Sequence, residues 1–180
     1  IGLRWYLGRG RKYPAIKGVI LTSLLHNFRT NPVPPITARI LIHVATWLGF
    51  DQAHAIGQKE FDQTGGSFET NLLTTDETAY QKMMATLNAQ PALKVGGMTY
   101  GWLYALLQSV KRLELALARG APRISYLVMG PQDDLIVETR GFAFVASMLP
   151  NCALHYLHGA KHELLQEAPE RRAQAWKWID

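Results

Sequence analysis

Three short apolar runs stand out along the chain: Gly18-Val19-Ile20-Leu21-Thr22-Ser23, Ile124-Ser125-Tyr126-Leu127-Val128-Met129 and Ala153-Leu154-His155-Tyr156-Leu157. Each is rich in β-branched or aromatic residues and bounded by Gly, Pro or Asn, the pattern of a buried strand. The first two hardly alternate between apolar and polar positions, which predicts strands covered on both faces, as in a parallel sheet. Helical spacing surrounds them. Residues 2–9 read as the end of a helix, and residues 142–149 are apolar at helical spacing up to Pro150. Residues 169–180 open on Pro169 and Glu170 and place Ala173, Trp176 and Ile179 on one stripe. Strands and helices in alternation predict an α/β layered domain with right-handed crossovers.

Residues 24–118 break that rhythm. The turn-rich Asn31-Pro32-Val33-Pro34-Pro35 leads into a predicted helix over 36–48, followed by a polar stretch through Asp62-Gln63-Thr64-Gly65-Gly66. Thr74, with Glu77 three residues on, reads as a capping box that opens a second helix running to about Leu87. A third helix spans 100–118, after Gly96-Gly97. A segment this long with no convincing strand, set between two strands, predicts a mostly helical insertion. The expected organisation is a core helix end and strand over 1–23, the insertion with its return to the core over 24–118, and a C-terminal core over 119–180.

Composition narrows the class. The chain is 48% hydrophobic and 18% charged, which excludes disorder, and no apolar run reaches the roughly 18 residues a membrane span needs. The net charge of +5 is scattered, with one cluster at Arg9-Gly10-Arg11-Lys12. Without a continuous basic stripe or a recognisable module, no nucleic-acid partner is expected and a solvated helix end accounts for the cluster. Cys152 is the single cysteine, so neither an internal disulfide nor a Cys-based zinc site can form within the chain. A buried structural thiol and a cytoplasmic location are the corresponding expectations. No His, Asp or Glu cluster has metal-ligand spacing.

Candidate chemistry gathers in two segments, each directly after a predicted strand: Met129-Gly130-Pro131-Gln132-Asp133-Asp134 and Gly159-Ala160-Lys161-His162-Glu163. In open α/β sheets, functional side chains collect beyond the carboxyl ends of the strands. The interval between the segments holds one helix and one strand, a connection that sets the two loops side by side. A histidine acting as general base needs a carboxylate on its other ring nitrogen, to fix the tautomer and stabilise the imidazolium.

The strings "LVMGPQDDLIV" and "YLHGAKHELLQEAPE" resemble the acid and histidine loops of the α/β-hydrolase superfamily, in the lysophospholipase and monoacylglycerol lipase group also described as serine aminopeptidase-like. That group shows Gly-x-x-Asp at the acid, here Gly130-Pro131-Gln132-Asp133, and Gly-Ala-x-His-Glu at the histidine, here Gly159 to Glu163. "KGVILTS" resembles the strand after the nucleophile helix, and "NLLTTDETAY" with "GGMTYGWLYA" the cap. The resemblance implies the C-terminal part of an α/β-hydrolase parallel sheet with an inserted helical cap. It implies a serine-type ester hydrolase of the lysophospholipid or monoacylglycerol class, working on a small lipid or ester without metal or organic cofactor. It also makes peripheral contact with the inner membrane an expectation. Oligomeric state is not legible.

On that resemblance Asp133 is the expected acid, preferred over Asp134 by its offset from Gly130, and His162 the expected base, with His158 as runner-up. His26 and Trp102 are candidate substrate contacts, His26 because it follows the first strand. His43 is read as a packed or partly exposed side chain, His155 as a residue inside a strand, and Glu163 as a solvated or capping one. One departure weighs more than the matches: the nucleophile motif Gly-x-Ser-x-Gly is absent, and Gly65-Gly66-Ser67-Phe68-Glu69 ends in Glu within the insertion. Residues 1–7 resemble the helix after the nucleophile turn, there is no initiator Met or signal-peptide pattern, and the expectation is a chain that lacks its nucleophile and is inactive alone. The alternative is a non-catalytic α/β-hydrolase-like ligand-binding or interaction protein.

Overall fold

The computed structural model describes residues 2–8, 15–30, 33–59 and 67–179. The basic cluster at 9–12 and the Gly65-Gly66 stretch lie outside the described residues. Three strands, β1 (Gly18–Thr22), β2 (Ser125–Pro131) and β3 (Cys152–Leu157), form a parallel sheet in the order β1-β2-β3. Gly18 pairs with Ser125, and Tyr126 with Cys152. The helices are α1 (Gly2–Gly8), α2 (Pro35–Trp47), α3 (Glu77–Ala89), α4 (Tyr100–Ala118), α5 (Arg140–Ser147) and α6 (Pro169–Ile179).

Two-residue periodicity divides β2 between two apolar layers. Tyr126 and Val128 enter one with Leu3, Tyr6 and Leu7 of α1, Leu113 and Leu117 of α4, and Phe142 and Val145 of α5. Leu127 and Met129 enter the other with Leu157, Ala160, Leu164 and Ala175 of α6. β2 is thus covered on both faces, as its unbroken apolar run predicts. β1 is not: its residues alternate, Val19 and Leu21 pack inward, and Ile20 remains 48% exposed. Among the described residues β1 is an outer strand of the sheet, and α6 packs against β2 and β3.

Two further expectations are corrected. The inward stripe of α6 is Ala175, Trp178 and Ile179, while Trp176 is exposed; the Trp178 ring stacks on that of His155, centroids 4.7 Å apart and nearly parallel. At the start of α3, Asp76 makes the cap instead of Thr74: its Oδ1 accepts from the amides of Thr78 and Ala79 at 2.9 and 3.2 Å. Thr74 Oγ1 instead donates to the carbonyl of Gln166 at 2.6 Å. Cys152 is half-buried, and burial pushes its thiol pKa up.

The chain divides into two compact units. The first, Ile1–Arg29, Leu72–Ala79 and Ser109–Asp180, holds the sheet, α1, α5, α6 and the C-terminal part of α4. The second, Thr30–Asn71 and Tyr80–Gln108, holds α2, most of α3 and the start of α4. Among the described residues between β1 and β2 there is no strand. Within the second unit, α2 starts on Pro35, whose missing N–H costs nothing in a first turn. The helix presents Ile36, Ile40, Val44 and Trp47 to solvent, as its C-cap does Leu48, while burying Ile42.

Gly130, at the end of β2, is required by packing. A Cβ there would lie 2.1 Å from Phe142 Cε2, and that ring is fully buried and unable to swing clear. Gly130→Ala is expected to cost about 1–3 kcal/mol through overpacking, read as a fall in Tm of roughly 2–4 °C per kcal/mol for a chain of this size. Adding Phe142→Leu should recover part of the loss. An unchanged Tm in Gly130→Ala would contradict the packing described.

Candidate active site

Because the three strands are parallel, their carboxyl ends share one edge, and the segments after them meet there. After β2, Asp134 turns inward and is fully buried, while Asp133 is exposed. Asp134 Oδ1 accepts from the amides of Ile136 and Val137 at 2.7 and 3.0 Å, an Asx turn that fixes the carboxyl group to its own loop. An antiparallel bridge between Phe28 and Val137 anchors the far side of the turn, with Glu138 N donating to Asn27 O at 3.1 Å. After β3, Gly159 takes φ +66°, and the chain turns into Ala160, Lys161 and His162.

The ring of His162 meets the other oxygen of that carboxyl group: Nδ1 and Asp134 Oδ2 are 2.8 Å apart, with the Asp134 side chain wholly buried and that of His162 18% exposed. Asp134, not Asp133, is therefore the acid beside the histidine. The expectation counted forward from Gly130; the geometry is set from the other direction, by the amides of Ile136 and Val137, which the Asp134 carboxyl group accepts from. Backbone amides carry no sequence signal, so the sequence alone does not choose between the two acids.

The His162 backbone is held as closely as its ring. Its amide donates to Leu72 O at 3.3 Å, the Glu163 amide to Leu73 O at 2.8 Å, and the Ser23 hydroxyl to the carbonyl of His162. Ser23, just past β1, has φ +42° and donates its own amide to Met129 O at 2.8 Å. Lys161 N donates to Glu167 Oε1 at 2.6 Å. Glu167 is a fully buried side chain that the sequence reading passed over, although an acid between Leu164-Leu165 and Pro169 is an unusual residue to bury.

The remaining candidates lie elsewhere. His26 Nε2 is 3.1 Å from Glu114 Oε1, its ring lies 4.8 Å from that of Phe144, and its buried Nδ1 has no hydrogen-bond partner among the described residues. Its hydrogen bond thus goes to α4 and not to the dyad. Trp102 lies in α4 within the second unit, 48% exposed. His158 and Glu163 are exposed, His155 is stacked on Trp178, and His43 Nδ1 is 2.8 Å from Arg39 O.

Opposed influences set the titration of the pair. For Asp134, burial is the largest and pushes the pKa up. The hydrogen bond with His162, the amides of Val137 and Ile136 and the imidazolium charge together outweigh it, so the value falls below the ordinary 3.8. For His162 the hydrogen bond with Asp134 comes first and raises the pKa above 6.5; burial opposes it, and the charges of Asp134 and Glu163 add to the rise. The lowered Asp134 pKa stabilises the fold above 3.8 and is lost as pH falls through the folded value. The raised His162 pKa stabilises it below 6.5 and is lost as pH rises through its folded value. Both contributions are whole between pH 3.8 and 6.5.

An inward carboxylate and a histidine on adjacent strand-end loops can hold one imidazole tautomer and accept a proton at the other ring nitrogen. Residues 3–169, through both loops, match the model of the family described as serine aminopeptidase, S33. The chain belongs to the serine aminopeptidase S33 family. It is 25% identical over 146 residues to a probable lysophospholipase L2 of Haemophilus influenzae, covering 81% of this chain and 45% of that protein. A soluble variant of monoglyceride lipase from Saccharomyces cerevisiae, solved with a substrate analog, superposes with a TM-score of 0.68 at 18% identity, over 99% of this chain and 60% of that one. The monoacylglycerol lipase of Paleococcus ferrophilus gives a TM-score of 0.65 at 16% identity, over 99% of this chain and 61% of that one. The fold is that of the α/β-hydrolases, and the S33 chain spans under half of the lysophospholipase and about three fifths of each lipase.

Asp134→Asn should bring the His162 pKa down toward 6.5, followed by NMR of the imidazole protons across a pH titration, whereas Asp133→Asn should leave it in place. The reverse outcome would return the acid role to Asp133.

Proposed function

We propose that this S33 chain supplies the acid and base of a serine-type carboxylic ester hydrolase acting on lysophospholipids or monoacylglycerols. The observation that carries the reading is the 2.8 Å contact between His162 Nδ1 and the buried Asp134. The substrate class is supported by the proteins to which the chain is similar, named as a lysophospholipase and as monoglyceride or monoacylglycerol lipases. The second unit is proposed as the cap over the acyl chain.

In this scheme a serine hydroxyl gives its proton to His162 Nε2 as its oxygen attacks the ester carbonyl. Asp134 keeps Nδ1 protonated and stabilises the imidazolium. His162 then returns the proton to the departing alcohol. Water, deprotonated by the same nitrogen, releases the fatty acid and frees the serine. No serine of the chain stands in Gly-x-Ser-x-Gly, and Ser23 Oγ donates to the His162 carbonyl; the nucleophile is proposed to be contributed from outside these 180 residues.

The 180 residues alone should not hydrolyse p-nitrophenyl esters; robust turnover abolished by His162→Ala would place a nucleophile within them and overturn that part. In a protein that carries this chain with its serine, Asp134→Asn should lower kcat on the order of 10⁴-fold. General-base action needs neutral His162, so kcat/KM should climb as pH rises through a pKa above 6.5, and Asp134→Asn should move that limb to lower pH. Monoacylglycerol turned over no better than an aminoacyl amide would sink the substrate assignment.

Contact with a lipid surface belongs to the same proposal. Among the described residues no helix is long and apolar enough to cross a membrane. The exposed apolar stripe of α2, with Trp47 83% and Ile36 74% exposed, supports a peripheral contact. Trp47→Ser with Ile36→Ser should reduce co-sedimentation with phosphatidylcholine vesicles several-fold; equal binding would remove this support.

A further inference from the structure

Two carboxyl side chains are fully buried among the described residues, Asp134 and Glu167. The scheme above uses only the first. Burying a carboxyl group is costly unless its oxygens are hydrogen-bonded, so the partners of Glu167 show what it organises. Its Oε1 accepts from Lys161 N at 2.6 Å and from Thr75 N at 3.2 Å. Its Oε2 accepts from the Thr75 hydroxyl and from Ala168 N at 3.3 Å, with Arg171 Nη1 at 3.9 Å. Arg171 Nη1 donates in turn to Thr75 Oγ1 at 2.8 Å, and its guanidinium lies over Gly159, where a Cβ would come within 3.2 Å of Nη2.

These contacts complete a ladder between residues 72–75 and 161–167. Three successive amides of the histidine loop are taken: Lys161 by the Glu167 carboxyl group, His162 by Leu72 O and Glu163 by Leu73 O. Thr74 Oγ1 donates to Gln166 O, and Thr75 closes on Glu167. The Glu167 side chain touches both rails, at Lys161 of its own and Thr75 of the other.

We propose that Glu167 is a positioning residue for His162: by tying the Lys161 amide to Thr75, it locks the histidine loop so that the imidazole stays in register with Asp134. The proposal rests on the reading of His162 as the general base. Glu167 meets neither the ring nor the reacting atoms and acts through the backbone beside them. A misplacement on the ångström scale, far from the chemistry, lowers turnover on the order of 100-fold.

The test is NMR of labelled histidine in the protein carrying this chain. Asp134→Asn serves as the reference. If it leaves the His162 pKa and the downfield Nδ1–H resonance unchanged, the dyad itself is misread, which is a separate failure. With that reference in place, Glu167→Gln is expected to lower the His162 pKa toward 6.5 and to weaken the Nδ1–H resonance, and in an active assembly to lower kcat with KM unchanged. Thr75→Val, which removes one hydroxyl and no charge, should act in the same direction, and Thr75→Ser should restore the signal. A folded Glu167→Gln with a lower Tm but wild-type His162 titration and resonance would overturn the proposal. If Glu167→Gln does not fold, Thr75→Val decides by the same readout.

Discussion

A carboxyl group removed from water must find hydrogen-bond donors, and much of this structure follows from meeting that demand at Asp134. Its two oxygens are satisfied by two amides of its own loop and by the His162 ring. The first contacts shape the turn after β2; the last ties that turn to the loop after β3. Removing one partner of such a pair leaves the other buried and unpaired, at a cost of about 3–5 kcal/mol, more than the pair contributes over apolar replacements. The arrangement is therefore a constraint on geometry more than a reserve of stability, as a site that must hold one tautomer requires.

The parallel sheet makes that constraint possible. With β1, β2 and β3 running the same way, Ser23, Asp134 and His162 all follow strand ends at a common edge, although they are far apart in sequence. Each is then fixed by a different device: a left-handed backbone and a hydroxyl at Ser23, an Asx turn at Asp134, a ladder of amides at His162. The raised His162 pKa and the lowered Asp134 pKa are two views of this one contact.

Much of this was legible in the sequence, because strand runs and the loops after them are local signals. The β2 run carries no polar residue from Tyr126 to Met129 and is buried on both faces; the histidine loop announces itself by Gly159 and His162. What was not legible depended on neighbours. Asp133 and Asp134 are chemically identical, and only the downstream amides and the Phe28 bridge choose between them. Thr74 has the spacing of a capping box, yet its hydroxyl goes to Gln166, so Asp76 caps α3. The apolar run of β1 gives no hint that it is an outer strand among the described residues. Glu167 looks like a surface acid until its four donors are known.

The pairing of Gly18 with Ser125 also has a kinetic side. β1 cannot zip to β2 until the intervening residues have been synthesised and the large loop they form has closed, and contacts so distant in sequence are slow to assemble. The helices between them rely on short-range bonds and can form sooner. Until that loop closes, β1 lacks the partner it has in β2, and its apolar side chains stay open to other contacts.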